Sequence, residues 1–566
     1  MTLTAQPLPN DYVNATWPDV LPRFDALATM PLSLGNVEQW LADWSALESA
    51  VSEAIQLASV AYTVDTTDPA KEAAYQRMAG EIEPHMEEQR VRLSRRLLEL
   101  GYTRPDLETT IRVFRNQDEI FREENVPLQQ ELQALDAEYQ KITGAMTAEW
   151  EGETLPLARL RPFLFDTDRA TRKRAFSLQI GPYVESREAL AKIFDEQYRL
   201  RQQVAKNAGF DNFRDYSFRL KNRFDYSPAD CETFHDAVEA SVVPAIARRN
   251  ELRKAELGVS QLRPWDVFVD PAGRPGLKPF DQIDELAAGT EAALGHVSPI
   301  FGKCIATMRR EKLLDLDSRE GKAPGGYCTG FDYRKRPFIF MNAAGTHQDV
   351  ETMLHEGGHA VHAFETYATL PLIFNRYPGE EMAEVGSMAM ELLASPYIEK
   401  KDGGFYSTED ANRARIEHLE GLLTGVAWIA AIDAFQHWIY TDKNGGDADA
   451  RDAEWLKVAA RFNGGVDWSG LDAENLARWY RQLHIFLVPF YYIEYGIAQL
   501  GALQVWRNSL QDQAAAVDAY RNALALGATK PLPELFETAG ARFAFDRAIV
   551  AELVELVESE LAKLEA

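Results

Sequence analysis

Ten histidines are spread over the 566 residues of this chain, and two of them frame the run His355-Glu356-Gly357-Gly358-His359. On an α-helix, residues i and i+4 lie one turn apart on one face, so these two imidazoles can converge on a single Zn²⁺. Glu356 projects about 100° away around the helix. It is near enough to take a proton from a metal-activated water without ligating the metal. Chance alone would put an HExxH run in about one chain in 70 of this composition. The bland alternative is a histidine-rich amphipathic helix whose imidazoles are satisfied in the core. Gly357 and Gly358 sharpen the question, because a glycine inside a helix costs ~1 kcal/mol relative to alanine. The pair calls for close approach of another backbone or of a substrate.

A hydrolytic zinc needs a third protein ligand and an open position. The metzincin pattern, with Gly at +7 and His at +10 from the first His, is absent: those positions hold His362 and Glu365. Glu365 stays a candidate, although nothing there turns the chain back. The better candidate lies in residues 382–393, MAEVGSMAMELL, an apolar helical run interrupted by Glu384 and Glu391. Seven residues apart, they share a face. Buried carboxylates are costly unless a cation or hydrogen-bond donors meet them. Glu384 as ligand and Glu391 as partner of a ligating histidine would satisfy both; pairing with Arg or Lys from a neighbouring helix is the alternative.

Several elements must position these groups. Thr346 and Asp349 form a variant capping box that starts a helix, and Val350, Met353, Leu354, Val361 and Phe364 mark its buried side. Before it, GKAPGGYCTGF reads as a Gly-rich loop and RKRPFIFMN as a short buried strand. Helical periodicity runs over 37–62, from Thr67-Asp68-Pro69 onward, and over 128–146, 169–208 and 227–257. Residues 148–164 suggest a small hairpin, 262–280 a loop rich in Pro and Gly, and everything after 347 helix upon helix. Pro7, Pro9, Pro18, Pro22 and Pro31 make residues 1–35 read as an irregular arm. No fixed-period repeat or low-complexity tract is seen. The expected class is mostly α with a small β element, divided into an N-terminal helical region at 1–185 and a catalytic region at 186–566.

Lys and Arg number 60 against 87 Asp and Glu, a net charge of −27. Such a surface repels phosphate backbones and anionic headgroups, so neither nucleic acid nor membrane is an expected partner. Three cysteines, Cys231, Cys304 and Cys328, are too few for a disulfide framework and suit a reducing compartment. The opening MTLTAQPLPNDY has no basic stretch and no apolar core, so no secretory signal is expected. The apolar run 421–435 is interrupted by Thr424 and Asp433 and is short of the ~20 residues that cross a bilayer. A cytoplasmic location follows as the expectation.

Glu384 stands 29 residues beyond His355, in the context Glu384-x-x-Ser387-x-x-x-Glu391. This set resembles the thimet oligopeptidase and neurolysin class of zinc peptidases. The lead-in GKAPGGYC…PFIFMN and the segment HIFLVPFYYIEY narrow the resemblance to the oligoendopeptidase F (Pz-peptidase) branch, from about residue 148 to the end. The resemblance implies an elongated multi-helix fold with a deep substrate channel and a single Zn²⁺ per chain on His355, His359 and Glu384. It also implies endopeptidase action on short oligopeptides rather than folded proteins. Gly325, Gly326 and Tyr327, with the strand at 337–342, are expected to present an open edge to which an extended peptide adds as a strand.

Residues 476–500 read as mostly helical, with Pro489 expected to kink or restart the helix. On an unbroken helix, Tyr491 and Tyr495 fall within about 20° of His484, and Tyr492 about 80° away. An aromatic stripe in the core is the bland reading. Related peptidases carry a histidine followed by tyrosines near this distance from the zinc motif. By that resemblance, His484 and one of Tyr491 and Tyr495 would donate hydrogen bonds to the developing oxyanion, with Tyr492 at the substrate; the choice among the three stays open.

Two rival readings remain. Glu356-x-x-His359 and Glu232-x-x-His235 could be the paired motifs of a helix-bundle di-iron carboxylate oxidase, although His355 then has no role. A non-catalytic peptide-binding scaffold is the other.

Overall fold

The computed structural model describes residues 12–566; Pro7, Pro9 and the opening segment lie outside the described residues. Where proline spacing predicts an irregular arm, the chain instead forms helix α1 (Trp17–Thr29). Pro18 sits in its first turn, where a missing N–H has no helical partner to lose. Thr16 and Asp19 close a capping box there, and Val20, Phe24 and Leu27 are buried. That burial offsets the backbone bond lost at Pro22. Helix α2 (Val37–Val64) follows, with Trp40 and Trp44 fully buried, and Asp68 caps the helix Pro69–Arg77 by accepting from the Ala70 N–H.

The expected hairpin is present but shorter. Strands β1 (Thr147–Trp150) and β2 (Glu153–Pro156) pair antiparallel around Glu151-Gly152, both at positive φ as a two-residue hairpin turn requires. Residues 157–165 form a 3₁₀ helix rather than strand. The periodic run 169–208 is two helices, Arg169–Glu185 and Arg187–Asn207, because Ser186 leaves helical geometry at ψ 2°. Helix α3 (Pro228–Glu256) starts at a Ser227 capping box.

Strands β3 (Leu314–Asp317), β4 (Tyr327–Phe331) and β5 (Arg336–Ala343) form a sheet of order β3-β5-β4. The end of the Gly-rich run is thus itself a strand. Because β5 pairs parallel with β3 and antiparallel with β4, residues 337–342 cannot offer an open edge. Among the described residues β4 is the edge next to the Gly-rich loop. Helices α4 (His347–Thr369), α5 (Glu380–Ala394), α6 (Thr408–Thr441) and α7 (Tyr492–Ser509) carry most of the remaining argument. The fold is mostly α with small sheets, as its periodicities require.

Packing gathers the chain into two compact units. The first holds the described residues up to Glu119, Lys278–Arg413 and Ala498–Phe543; the second holds Ile120–Leu277, Ala414–Ile497 and Ala544–Ala566. The boundary expected at 185/186 falls inside the second. In the first unit, Trp44 packs its ring on Phe114 and Phe374. In the second lies most of α6, the one described helix long and apolar enough to cross a membrane; 67% of its most apolar window is buried, as in a core helix.

Candidate active site and metal centre

Gly358, the second glycine of the pair in α4, has its reason in α5. A Cβ at Gly358 would stand 2.6 Å from the Gly386 carbonyl oxygen and 2.7 Å from the Ser387 Cα. Only glycine lets the two helix backbones meet there. A Cβ at Gly357 would meet the Leu294 side chain at 3.3 Å. This close crossing brings Glu384 of α5 against the two histidines of α4. Glu384 Oε2 lies 3.3 Å from His355 Nε2 and 3.7 Å from His359 Nε2, and all three donor atoms fall within 4.8 Å of one another. Two donors each about 2.0–2.1 Å from one tetrahedral ion stand about 3.4 Å apart. Two imidazole nitrogens and one carboxylate oxygen therefore fit Zn²⁺ in chemistry and spacing, with a fourth position left over.

Neighbouring groups fix these side chains. His355 Nδ1–H donates to Glu391 Oε1 at 2.7 Å, which orients the ring with Nε2 facing Glu384. The Ser387 hydroxyl donates to Glu384 Oε2 at 2.8 Å. Glu365 is held elsewhere: Arg521 Nε donates to its Oε1 at 2.7 Å. Burial works against charge on His355, yet hydrogen bonds that it donates to Glu384 and Glu391 hold its pKa well above the usual value. Burial likewise opposes ionised Glu384, but His355 and His359 bring it below the usual range. Carboxylates that draw a proton onto an imidazole would draw a divalent cation as well. Burial, then the charge of His355, lowers His359 to about 4, which keeps it neutral and able to ligate.

Glu356 is buried, and burial raises its carboxyl to about 7. A group of that basicity can take and return a proton near neutrality. The Cys328 N–H of edge strand β4 hydrogen-bonds to it, a partner with no sequence signal beyond its place in the Gly-rich lead-in. Gly325 and Gly326 are exposed, and Gly325 has φ 102°. Tyr327 is engaged: its ring stacks on Phe340, and its hydroxyl lies 2.6 Å from the Thr63 Oγ1. What it can offer a peptide is backbone.

In the second unit the expected helical stripe is broken. Helix Leu483–Leu487 ends before Pro489, Phe490 adopts φ 63°, and α7 begins at Tyr492. The left-handed residue is held by burial, with its N–H donating to Gln436 Oε1 at 2.8 Å and its carbonyl accepting from Arg223. The turn still gathers the rings. His484 has Tyr492 at 4.9 Å and Tyr491 at 5.9 Å between ring centroids, and Tyr491 stands 5.0 Å from Tyr495. Tyr492, off the face on an unbroken helix, is nearer to His484 than Tyr491 is.

Sequence reading missed Gln482. Trp428 Nε1–H donates to its Oε1 at 3.2 Å, which orients the amide so that Nε2 donates to His484 Nδ1 at 2.9 Å. Burial lowers the His484 pKa, so the neutral ring carries its proton on Nε2 and presents a donor there. The di-iron reading loses its second motif, because the Glu232 side chain is 61% exposed and lies 3.7 Å from Arg214.

The sequence matches Peptidase family M3 over residues 163–290 and 296–555, and the Peptidase M3 N-terminal domain over 11–112. The chain belongs to peptidase family M3. Among similar proteins, the plasmid oligoendopeptidase F of Lactococcus lactis subsp. cremoris is 26% identical over 241 residues. That match covers 41% of this chain and only 37% of the Lactococcus protein's length. An oligoendopeptidase F homolog of Borreliella burgdorferi is 21% identical over 437 residues, covering 75% of this chain and 72% of that one. The solved structure of Pz peptidase A with an inhibitor matches with TM-score 0.86 at 28% identity, over 99% of this chain and 98% of that chain. The M3 likeness thus reaches well before residue 148, where the sequence resemblance begins.

Proposed function

We propose that this M3 chain is a zinc-dependent endopeptidase that hydrolyses internal bonds of short oligopeptides. The observation that supports it is the convergence of His355 Nε2, His359 Nε2 and Glu384 Oε2, with Glu356 beside them on α4. His355, His359 and Glu384 would hold the ion. Bound there, Zn²⁺ supplies Lewis acidity, making water more acidic and stabilising negative charge on a carbonyl oxygen. Glu356 accepts the proton that water gives up, and returns it to the amine nitrogen as the peptide bond breaks. Its buried carboxyl, raised toward neutrality, suits both transfers. An extended peptide adds along the β4 edge beside Gly325 and Gly326, by main-chain hydrogen bonds that tolerate varied side chains.

His484 serves as a hydrogen-bond donor to the substrate oxygen that gains charge, with Tyr491 or Tyr495 as second donor and Tyr492 packing beside the ring. Removing one such donor costs ~10²–10³ in kcat. His484→Ala is therefore expected to lower kcat by that factor with zinc content unchanged, and so is one of Tyr491→Phe and Tyr495→Phe. Near-wild-type kcat in all three would return the cluster to core packing.

The preference for short peptides rests on the names of the relatives, oligoendopeptidases and oligopeptidases. A quenched peptide of roughly ten residues should be cut internally and a folded protein of ordinary stability left intact. Efficient digestion of the folded protein, or two irons and no peptidase activity in the purified chain, would overturn the proposal.

A further inference from the structure

Within the second unit, α3 and α6 each carry two metal-ligating residues one turn apart: Cys231 and His235 on α3, Asp433 and His437 on α6. The i, i+4 spacing sets each pair on one helix face, and all four residues are at most 5% exposed. The Cys231 Sγ, an Asp433 carboxylate oxygen and a His437 ring nitrogen lie within 4.8 Å of one another. Among the described residues this holds for one other set of three such donors, the His355, His359 and Glu384 site.

The polar accounting at this cluster does not close. His235 Nε2 lies 2.8 Å from Asp433 Oδ2, and His437 Nε2 is 3.3 Å from the same oxygen. Yet Asp433 Oδ1 and both ring nitrogens of His437 have no hydrogen-bond partner. The rings of Phe218 and Phe490 pack edge-on against His437, as does the ring of His235, and His437 is 5% exposed. A carboxylate oxygen and a ring nitrogen buried there without a hydrogen bond are costly. A Cys, His and Asp set can also activate a nucleophile, but Cys231 is 0% exposed and no substrate reaches it.

We propose that Cys231, Asp433 and His437 bind a second divalent metal ion, with His235 holding Asp433 from its other oxygen. The donor set of thiolate, imidazole and carboxylate selects zinc. Thiolate and carboxylate together neutralise the two charges of the ion, so the buried site carries no net charge. The ion takes up one unmet lone pair on Asp433 and one on His437, whose other ring nitrogen keeps its proton. Sealed from solvent, it ties α3 to α6 and has no part in hydrolysis. Cys231 and His437 lie far apart in sequence, so no local spacing points to this second ion.

Zinc analysis of the full-length protein, purified without chelator, tests this. Wild type should hold about two ions per chain. Cys231→Ser and Asp433→Asn should each lose one while Glu384→Gln keeps the one bound here. Replacing zinc by Co²⁺ gives a second readout, since only this site contains sulfur. A near-ultraviolet thiolate-to-cobalt band should appear in wild type and in Glu384→Gln, and vanish in Cys231→Ser. If Cys231→Ser does not fold, the first two spectra still decide. At most one zinc in wild type, missing from Glu384→Gln, and no thiolate–cobalt band would overturn the proposal.

Discussion

Glu356→Gln should abolish nearly all peptide turnover, ~10²–10⁴-fold in kcat by the usual worth of a positioned acid–base group, while metal content and KM stay close to wild type. The amide has the size and shape of the carboxyl it replaces. Its oxygen can still accept from the Cys328 N–H that the carboxylate engages, so α4 and β4 keep their packing. What it cannot do is accept a proton from water, and the neighbouring His355 and His359 are committed to Glu391 and Glu384. Single-turnover rates on a quenched peptide, with zinc analysis of the same sample, separate the two effects. Turnover within a few-fold of wild type would remove Glu356 as the base.

Glu384→Gln is expected to empty the hydrolytic metal site and lose activity in proportion. Glu384 is the one anionic member of its donor set, it is 5% exposed, and Ser387 fixes its oxygen. A neutral amide there leaves two imidazoles to hold a divalent ion without charge compensation. Replacing its outer neighbour, Glu391→Gln, should be milder, ~10–100-fold in metal affinity, because the amide oxygen can still accept from His355 Nδ1–H and only the carboxylate's charge is lost. Glu365→Gln should leave the metal in place, since Glu365 is paired with Arg521. Metal titrations of the three variants rank them. If Glu365→Gln strips the ion and Glu384→Gln retains it, the third ligand has been assigned to the wrong residue.

How much of this was legible beforehand follows from range. The spacing of His355, Glu356 and His359 needed only helix geometry, and the capping box at Thr346 and Asp349 said where that helix starts. Glu384 and Glu391 stood out because carboxylates on an apolar helix need partners. Pro489 is expected to kink or restart its helix, and it does; angles on an unbroken helix cannot place the tyrosines around that break. Residues 476–500 are cut by Pro489 and the left-handed Phe490, and a turn, not a helix face, sets Tyr492 beside His484. Pro18 and Pro22 suggest an irregular arm, yet burial of Phe24 and Leu27 carries α1 through them. An apolar strand at 337–342 looked able to be an edge, and only the pairing of β5 on both sides excludes it.

By itself, then, the sequence determined which helix-borne groups share a face, because i, i+4 and i, i+7 relations are set within one element. Tertiary structure alone decided which groups meet across elements. Gly358 against Gly386 brings α5 to the α4 histidines, Arg521 removes Glu365 from contention, and Gln482 fixes the His484 proton. Such pairings depend on how buried faces pack, and no local spacing encodes them.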